Sequence, residues 1–338
     1  MSKLHTDFKA ELRTRANESL KRHFEREEHA TRNVNIPPPS EEMIKSFTEH
    51  LIRSKRILAL IGAGLSAASG IPTYRGAGGF WRSYSDIQLA TKTAFDEDPS
   101  LVWQFYNYRR HQALTADPNS AHHALAELAK RKPGFLAVNQ NIDGLCRRVG
   151  HPPTQIIDLH GSLFRVKCSN EACGYNAEDY NDPITPALSL TKDYDNDVTK
   201  ADIPLAKIDH TDLPICPLCT DALLRPAVVW FGESIPADKA SGIDKWLAGD
   251  TFNQATAGLD SVGGQVDLML VVRTSAVVYP AAAYIQQCRK RGARVAFFNM
   301  EVAAAGAARP EPGDWSFQGD ASKLIPQALR TYLELSDL

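Results

Sequence analysis

The sequence lacks the features that define several classes of protein. None of its apolar stretches reaches the roughly 20 residues of a membrane span, so we expect no membrane partner. The formal net charge is −2, which provides no basic field to recruit nucleic acid directly. The chain shows no internal repeat and no secretory signal pattern, so we expect an intracellular protein that is not secreted. What remains, in 338 residues of ordinary composition, is a globular enzyme-like chain of one large or two smaller domains.

Cysteine is also scarce, and the few cysteines present are clustered. Four of the six form two close pairs, spaced C-x4-C and C-x2-C with 42 residues between them: Cys168 with Cys173, and Cys216 with Cys219. Such pairs predict a tetrahedral, structural site for one Zn²⁺, with no position open for a catalytic water. The alternative is four unrelated buried thiols. Cys146 and Cys288 have no close partner, and we predict that each is a small buried hydrophobe.

The N-terminal segment is charged and has one apolar stripe. Six acidic residues occur in the first 32, whereas mitochondrial transit peptides are poor in acid. We therefore predict an N-terminal helical extension and linker over residues 1–39. Three prolines at 37–39 then break the chain, and Ser40 followed by two glutamates predicts the start of a helix.

Strand and helix patterns alternate along most of the chain. Short buried strands are predicted at 56–61, 135–138, 155–159, 266–272 and 294–298, with helices at 121–130 and 281–291. This alternation is typical of a mostly parallel sheet covered on both faces. The stretch from Cys168 to Cys219 is polar and rich in proline, and it predicts an inserted module.

A glycine-rich run follows the first of these strands. Gly62, Gly64 and the small residues after them have the spacing G-x-G-x-x-A, which predicts a close approach to a pyrophosphate and the opening of a helix. A nicotinamide dehydrogenase needs an acidic residue about 20 positions later at a strand end, and none is apparent there. The other acid near a strand end is Glu301. A dinucleotide is therefore expected, but hydride transfer is not.

The longer motifs resemble those of the sirtuin family of NAD-dependent protein lysine deacylases. The resemblance runs from about residue 40 to 325, in family order, and it is carried by the glycine run and Gly70-Ile71-Pro72-Thr73-Tyr74-Arg75, Gln140-Asn141-Ile142-Asp143, His160-Gly161, the four paired cysteines, and Val229-Trp230-Phe231-Gly232-Glu233.

The resemblance implies an α/β fold. It comprises a large domain with a Rossmann-like doubly wound parallel sheet, and a small domain made of a zinc-binding module and a helical module, with NAD and acyl-lysine meeting in a cleft. The implied boundaries are 40–75, 134–162 and 225–338 for the NAD-binding domain, 76–133 for the cofactor loop and helical module, and 163–224 for the zinc-binding module.

The resemblance also assigns residue roles. His160 matches the general base, and an imidazole suits that role at neutral pH. Asn141 is the second catalytic residue and, with Asp143, would bind the nicotinamide carboxamide. An alternative role for Asp143 is to cap a helix opening at Gly144. The remaining NAD contacts match Gly62, Ala63, Gly64, Tyr74, Arg75, Gln140, Ile142, Thr274, Ser275, Asn299 and Glu301.

The implied substrates are acyl-lysine proteins or peptides, and the implied products are nicotinamide, free lysine and O-acyl-ADP-ribose. Val229 to Glu233 (Val229, Trp230, Phe231, Gly232 and Glu233) match the strand that pairs with the substrate peptide. Tyr106 and Arg109, one helical turn apart, resemble the pair that distinguishes the branch removing succinyl, malonyl and glutaryl groups. Ala90 is small and leaves room for the acyl tail. The alternative is that Tyr106 packs in the helical module and Arg109 is solvated.

Two positions depart from the family pattern, and the first is mild: Tyr74 stands where the family usually has phenylalanine. Arg273 stands where glycine usually precedes Thr-Ser, and its side chain would either crowd NAD or contact a phosphate. Because of Arg273, an NAD- or acyl-lysine-binding protein with weak turnover stays open as an alternative. A protein deacetylase and a mono-ADP-ribosyltransferase, which uses the same NAD cleavage, are further alternatives. The charged-acyl branch is often mitochondrial, but the acidic N-terminus leaves mitochondrion and cytosol or nucleus both open. Oligomeric state is also open, with a monomer as the default.

Overall fold

The computed structural model describes residues 37–73, 80–82, 84–190, 204–249, 265–276, 279–301, 306 and 309–335. Most of the predicted N-terminal extension, and Tyr74 and Arg75, lie outside the described residues. In chain order the helices and strands are α1 (Glu41–Arg53), β1 (Arg56–Ile61), β2 (Phe80–Trp81), β3 (Tyr84–Ser85), α2 (Asp86–Leu89), α3 (Lys92–Glu97), α4 (Pro99–Thr115), α5 (Ser120–Arg131), β4 (Gly134–Asn139), α6 (Leu145–Arg148), β5 (Ile156–Asp158), β6 (Gly161–Cys168), β7 (Asn176–Glu178), β8 (Leu224–Val228), α7 (Ala237–Ala248), β9 (Leu268–Val272), α8 (Ala283–Arg289), β10 (Arg294–Asn299), β11 (Trp315–Gln318) and α9 (Ala321–Leu335).

A six-stranded sheet in the order β11-β10-β9-β1-β4-β5 forms the core of the larger unit. All its neighbouring strands pair in parallel, which confirms the predicted Rossmann-like sheet. The chain winds outward in one direction from β1 through β4 to β5, and in the other from β9 to β11. The strand order therefore reverses between β1 and β9, where ligands of such sheets bind at the carboxyl ends.

Both faces of this sheet are covered. Because side chains alternate along a strand, Ile57 and Ala59 pack with helices α1, α5 and α9 on one face. Leu58 and Leu60 pack with α7 and α8 on the other. Cys146 belongs to the first cluster and Cys288 to the second, so both unpaired cysteines are the buried hydrophobes that the sequence predicts.

The chain divides into two compact units, and the predicted domain boundaries stay a prediction. The sheet unit comprises Ile36–Ile71, Ala116–Gly161 and Ser234–Leu338, and the small unit contains Pro72–Thr115 and Ser162–Glu233. Helix α5 lies in the sheet unit, because its apolar residues Leu125 and Leu128 pack in the sheet core. Strand β8 lies in the small unit, because it joins β6 and β7 in a three-stranded sheet.

The ends of two segments show how local chemistry sets the fold. The Ser40 hydroxyl accepts the backbone N–H of Met43 at 3.2 Å and caps α1, as predicted. The predicted helix after the glycines does not form, and the run makes two three-residue 3-10 turns, Ala63–Leu65 and Ala67–Ser69. Gly70, at φ +84°, closes the second turn, and Pro72 follows. None of the described helices is long and apolar enough to cross a membrane.

Candidate functional site

The strand-edge site is the group of polar residues at the carboxyl ends of the sheet strands. It consists of Gly62 after β1, Gln140 and Asn141 after β4, His160 after β5, Thr274 after β9 and Asn299 at the end of β10. Hydrogen bonds link these ends: Gln140 Nε2 donates to Thr274 Oγ1 at 3.2 Å, and Asn299 Nδ2 donates to the Thr274 carbonyl at 3.3 Å. The parallel sheet thus gathers residues from five strands that are far apart in sequence.

Gly62 is required by the packing of the strand ends. A Cβ at this position would lie 2.6 Å from the Arg273 carbonyl oxygen and 2.6 Å from Thr274 Cβ. The Gly62 N–H donates to the Val272 carbonyl at 2.9 Å, which holds the end of β1 against the end of β9. The sequence predicts that the backbone at Gly62 closely approaches a pyrophosphate. In the structure, the backbone at Gly62 closely approaches the end of the neighbouring strand β9.

Arg273 adopts a backbone conformation that favours glycine, with φ +52°. Its Nε donates to the Gly64 carbonyl at 3.1 Å, and a Cβ on Gly64 would lie 2.8 Å from that nitrogen. Burial lowers the pKa of the guanidinium, and the charge of Asp320 opposes the shift. The arginine side chain therefore lies along the glycine loop. From this position it could either crowd NAD or contact a phosphate, the two roles that the sequence leaves open.

Asn141 has one hydrogen-bonding atom without a partner. Its Nδ2 donates to the Gly62 carbonyl at 3.1 Å and to Ser66 Oγ at 3.3 Å. Its Oδ1 is buried and has no hydrogen-bond partner among the described residues. A buried carbonyl oxygen without a partner is unfavourable, so this atom is suited to accept an amide N–H from a ligand.

The carboxylate of Asp143 accepts hydrogen bonds from within the protein. Its Oδ2 accepts the Ser66 hydroxyl at 2.6 Å, and its Oδ1 accepts the Leu145 N–H at 2.9 Å at the start of α6. Gly144 is the N-cap residue of α6, and Asp143 contributes to that helix end through its bond to the Leu145 N–H. Ser66 bridges Asn141 and Asp143, and nothing in its spacing along the sequence indicates this role.

His122 lies beside Ser66 with 3.5 Å between its Nε2 and the hydroxyl oxygen. Its Nδ1 accepts the Asn119 N–H at 3.2 Å within the capping box of α5. Burial is the main cause that lowers its pKa to about 4. The ring is therefore neutral and structural.

His160 has a defined tautomer. Its Nδ1 lies 2.9 Å from the Gln140 carbonyl oxygen, and because a carbonyl only accepts, Nδ1 carries the proton. The lone pair is then on Nε2, for which the described residues provide no hydrogen-bond partner. Burial is the main cause that lowers the His160 pKa; the bond to Gln140 opposes the shift and the charge of Lys239 adds to it. A neutral imidazole with an available nitrogen is what a general base requires.

The other predicted NAD contacts are less informative. Ala63, Ile142 and Ser275 are half-buried near the strand ends, and Glu301 is exposed just beyond β10.

A second group of contacts lies in the small unit, and we call it the acyl site because it contains the residues predicted to recognise the acyl group. It consists of Asp86, Ala90, Tyr106, Arg109 and Trp230. The Ala90 carbonyl accepts the N–H of Phe231 at 2.9 Å, and the Ala90 N–H donates to the Asp86 carbonyl at 2.9 Å. Arg109 Nη1 donates to Asp86 Oδ2 at 2.6 Å, and Trp230 Nε1 donates to Tyr106 Oη at 2.9 Å. The structure therefore brings together the predicted acyl-recognition residues and the predicted substrate-binding segment.

Asp86 is a member of this site that the sequence analysis missed. Burial raises the pKa of its carboxyl to about 6, against the opposing charge and hydrogen bond of Arg109. Arg109 is only 8% exposed, so the alternative in which this residue is solvated is wrong. No spacing signal connects Asp86 with Arg109, which lies 23 residues away on another helix.

The segment predicted as a substrate-pairing strand is an extended stretch that ends in a turn. Strand β8 ends at Val228, before this segment begins. Trp230 is buried, and Phe231 is 45% exposed and bridges in parallel to Thr91. The turn follows at Gly232, with φ +90°. An exposed aromatic residue at the end of a strand is compatible with an incoming peptide.

Glu233 fixes this turn. Its oxygens accept Arg225 Nη1 at 2.5 Å and Nη2 at 3.0 Å, and Oε2 also accepts the Trp230 N–H at 2.9 Å. Burial acts to raise the pKa of Glu233, but the hydrogen bonds from Arg225 and Trp230 outweigh it and the pKa is lowered. The Arg225 guanidinium lies 3.3 Å from the centre of the Trp230 ring. Glu233 therefore acts as a support of the segment.

The four paired cysteines converge as predicted. Their sulfur atoms lie within 4.8 Å of one another, and the Cys168–Cys219 and Cys173–Cys216 distances are both 3.6 Å. Tetrahedral zinc with Zn–S bonds of about 2.3 Å sets its sulfurs about 3.8 Å apart. This donor set fits one structural Zn²⁺.

Comparison with known proteins finds one family. Residues 62–280 match the model of the Sir2 family. An NAD-dependent protein deacylase of Candida albicans is 40% identical over 312 residues, covering 86% of this chain and 97% of that protein. The mitochondrial NAD-dependent protein deacylase sirtuin-5 of Canis lupus familiaris is 40% identical over 295 residues, covering 86% of each chain.

Solved structures share the fold. A complex of a Sir2 homologue with NAD matches with a TM-score of 0.65 and 31% identity, covering 88% of this chain and 94% of that chain. A mutant Sir2 homologue with 2'-O-acetyl ADP ribose matches with a TM-score of 0.67 and 31% identity, covering 89% and 99%.

Proposed function

This chain belongs to the Sir2 family, and from that premise we propose that it is an NAD-dependent protein lysine deacylase acting on acyl-lysine proteins or peptides. The observation that carries the proposal is that two atoms suited to a ligand lie at the ends of adjacent strands. They are Asn141 Oδ1, which has no partner within the part of the chain that the structure describes, and His160 Nε2, which carries a lone pair. The first atom can accept a carboxamide N–H, and the second can accept a proton.

NAD, when bound, supplies a ribose carbon from which nicotinamide can leave. The residues of the strand-edge site fit this co-substrate, since Asn141 offers a buried acceptor for its carboxamide. Gln140, Thr274, Ser275 and Asn299 would hold the ribose and phosphate groups, with Glu301 at the adenosine end. Asp143 would act through Ser66, which it holds in position at 2.6 Å. His160 would remove a proton from a ribose hydroxyl at Nε2, while the Gln140 carbonyl keeps its other nitrogen protonated.

We further propose that acidic acyl groups (succinyl, malonyl and glutaryl) are the preferred substrates. Arg109 would contact the acyl carboxylate and Tyr106 would share the contact, since a charge-assisted arginine bond is the stronger part of such recognition. Ala90 would leave room for the acyl chain, and its carbonyl already holds Phe231 in the segment proposed to bind the peptide. The four cysteines would hold zinc and keep this unit folded.

A panel of acetyl-, malonyl-, succinyl- and glutaryl-lysine peptides with NAD tests the proposal. We expect release of nicotinamide, free lysine and O-acyl-ADP-ribose, with higher kcat/KM for the acidic acyl groups. Product mass distinguishes the alternatives: ADP-ribose attached to protein would indicate a mono-ADP-ribosyltransferase, and preferential loss of acetyl would indicate a deacetylase. An Asn141→Ala variant should lose nicotinamide release.

A second candidate, an NAD-binding protein with weak turnover, is favoured by one observation. Arg273 lies against Gly64 in the glycine loop, where its side chain reduces the room for a nucleotide. Turnover of any acyl peptide at micromolar NAD would exclude this function.

For the cellular location we propose the mitochondrion, because the sirtuin-5 relatives carry that location in their names, with the cytosol or nucleus as the alternative. Fractionation of cells producing the untagged protein distinguishes the two.

A further inference from the structure

The guanidinium proposed to bind the acyl group already has a carboxylate partner. Asp86 begins α2, and its Oδ2 accepts Arg109 Nη1 at 2.6 Å. The side chains of Arg109 and Asp86 are 9% and 3% exposed, respectively, so water screens the pair weakly. An acidic acyl group would therefore meet a positive charge that is already compensated.

We propose that Asp86 is a specificity-determining residue that competes with an acidic acyl group for Arg109 and so widens the acyl range toward neutral chains. This inference rests on the proposed deacylase function. The ion pair is neutral overall, so an acetyl group enters without a charge imbalance. A succinyl group would instead place two carboxylates on one buried guanidinium.

Two carboxylates that share one buried site do not both stay ionised. Asp86 is the group that takes the proton, since burial already raises its pKa to about 6. Binding of an acidic acyl group would then be accompanied by uptake of one proton from solvent onto Asp86. The same proton returns to solvent when the acyl group leaves. A neutral acyl group requires no such uptake.

The unused oxygen of Asp86 suits this exchange. Asp86 Oδ1 is buried and has no hydrogen-bond partner among the described residues. Protonated there, it would donate its O–H to the acyl carboxylate while Arg109 donates from the other side.

Other charged side chains of the small unit contact other groups. Arg110 Nη2 donates to Asp179 Oδ1 at 3.1 Å, and the Arg82 guanidinium lies 6.0 Å from the centre of the Trp81 ring. The Lys92–Asp96 pair on α3 is more than half exposed. Among the described residues, Arg109 is the charge that acts on the Asp86 carboxyl.

The test is an Asp86→Asn variant, which keeps an oxygen to accept Arg109 but removes the charge. One peptide is used in a succinyl-lysine and an acetyl-lysine form. The kcat/KM of each form is measured with NAD, and the affinity of the protein for each form is measured in the absence of NAD. With a pKa of about 6, we expect the succinyl-to-acetyl ratio to rise about tenfold at pH 7 and about a hundredfold at pH 8. Asp96→Asn is the matched control, because it removes an exposed carboxylate nearby, and its ratio should not change.

The unmodified protein gives a second test that needs no variant to fold. Its succinyl-to-acetyl ratio should fall about tenfold between pH 7 and pH 8, and that of Asp86→Asn should stay flat. Titration of His160 affects both substrates and cancels in the ratio. A flat ratio in the unmodified protein, or the same ratio in both proteins, would overturn the role of Asp86. If the peptide affinities show the predicted succinyl-to-acetyl ratios but no peptide is turned over, the deacylase function alone would be overturned.

Discussion

The key side chains of the strand-edge site are oriented by backbone carbonyls, whereas those of the acyl site are held by one another. The Gln140 carbonyl fixes His160 and the Gly62 carbonyl fixes Asn141, and each side chain keeps one atom for a ligand. In the acyl site Arg109 is bonded to Asp86 and Tyr106 to Trp230. Catalysis requires groups that are already oriented before the ligand binds. Selectivity can instead depend on how readily a substrate group replaces the protein side chain that is bonded to the recognition residue.

The largest expected effect is at His160. His160→Asn removes the proton-accepting nitrogen, and loss of a general base lowers rates about a hundredfold to ten-thousandfold. We expect kcat to fall by about a thousandfold for succinyl- and acetyl-lysine peptides alike. His123→Asn, which changes an exposed histidine on α5, is the control. A fall confined to one acyl group would contradict the separation between the two sites.

Arg109→Met should lower activity on acidic acyl groups far more than activity on acetyl groups. A hydrogen bond to a charged group contributes about 1.5–3 kcal/mol, so kcat/KM for succinyl-lysine peptide should fall about 10- to 100-fold. The succinyl-to-acetyl ratio should then drop below one. Arg165→Met is the matched control, since that arginine lies on β6 of the same unit and its side chain is 44% exposed. An unchanged ratio would remove Arg109 from acyl recognition.

Arg273→Gly tests whether the strand-edge site is obstructed. Glycine adopts φ +52° without strain and removes the side chain that lies along Gly64. We expect the KM for NAD to fall about tenfold, because the arginine side chain no longer occupies space beside Gly64. The relief of backbone strain, about 1–2 kcal/mol, stabilises the protein with and without NAD and does not itself change the KM. Ala276→Gly is the control, because Ala276 has φ +49° but carries no guanidinium. Both variants should unfold at a higher temperature than the unmodified protein, but only Arg273→Gly should change the KM for NAD. A raised KM for NAD in Arg273→Gly would mean that Arg273 binds a phosphate.

The two regions also differ in how far the sequence predicts them. The strand-edge residues follow from a rule of topology, because each lies just after a buried strand and parallel strands bring those ends together. The partnership of Asp86 with Arg109 depends on how α2 packs against α4, and neither spacing nor periodicity encodes that packing. The same reason explains why Trp230, predicted on a peptide-facing strand, is buried against Tyr106 and Arg225. Local sequence signals predict helices and strands well, but they predict poorly which side chains of different elements contact one another.

A smaller effect is expected from Trp230→Phe, which keeps a ring over Arg225 but removes the N–H that donates to Tyr106. A neutral hydrogen bond contributes about 1 kcal/mol, so kcat/KM for succinyl-lysine peptide should fall about fivefold. Trp103→Phe is the control, since Trp103 Nε1 donates at 2.9 Å to the Leu224 carbonyl, outside the acyl site. Equal loss in both variants would indicate a general effect on the small unit and no specific support of Tyr106.

The smallest effect concerns the acid limb of the rate. Burial lowers the pKa of His160 below its ordinary value of 6.5, so the neutral imidazole remains the major form at pH 6.5. Because the neutral form is the base, kcat at saturating NAD and peptide should fall by less than twofold between pH 7.5 and pH 6.5. The decline should be the same for both acyl groups, since it arises in the sheet unit. A midpoint of the pH–rate profile above pH 6.5 would mean that a ligand or another group stabilises the imidazolium of His160. His160 would then not stay neutral during turnover as it is in the structure. The contrast between a preformed strand-edge site and an acyl site whose contacts are exchanged would no longer hold.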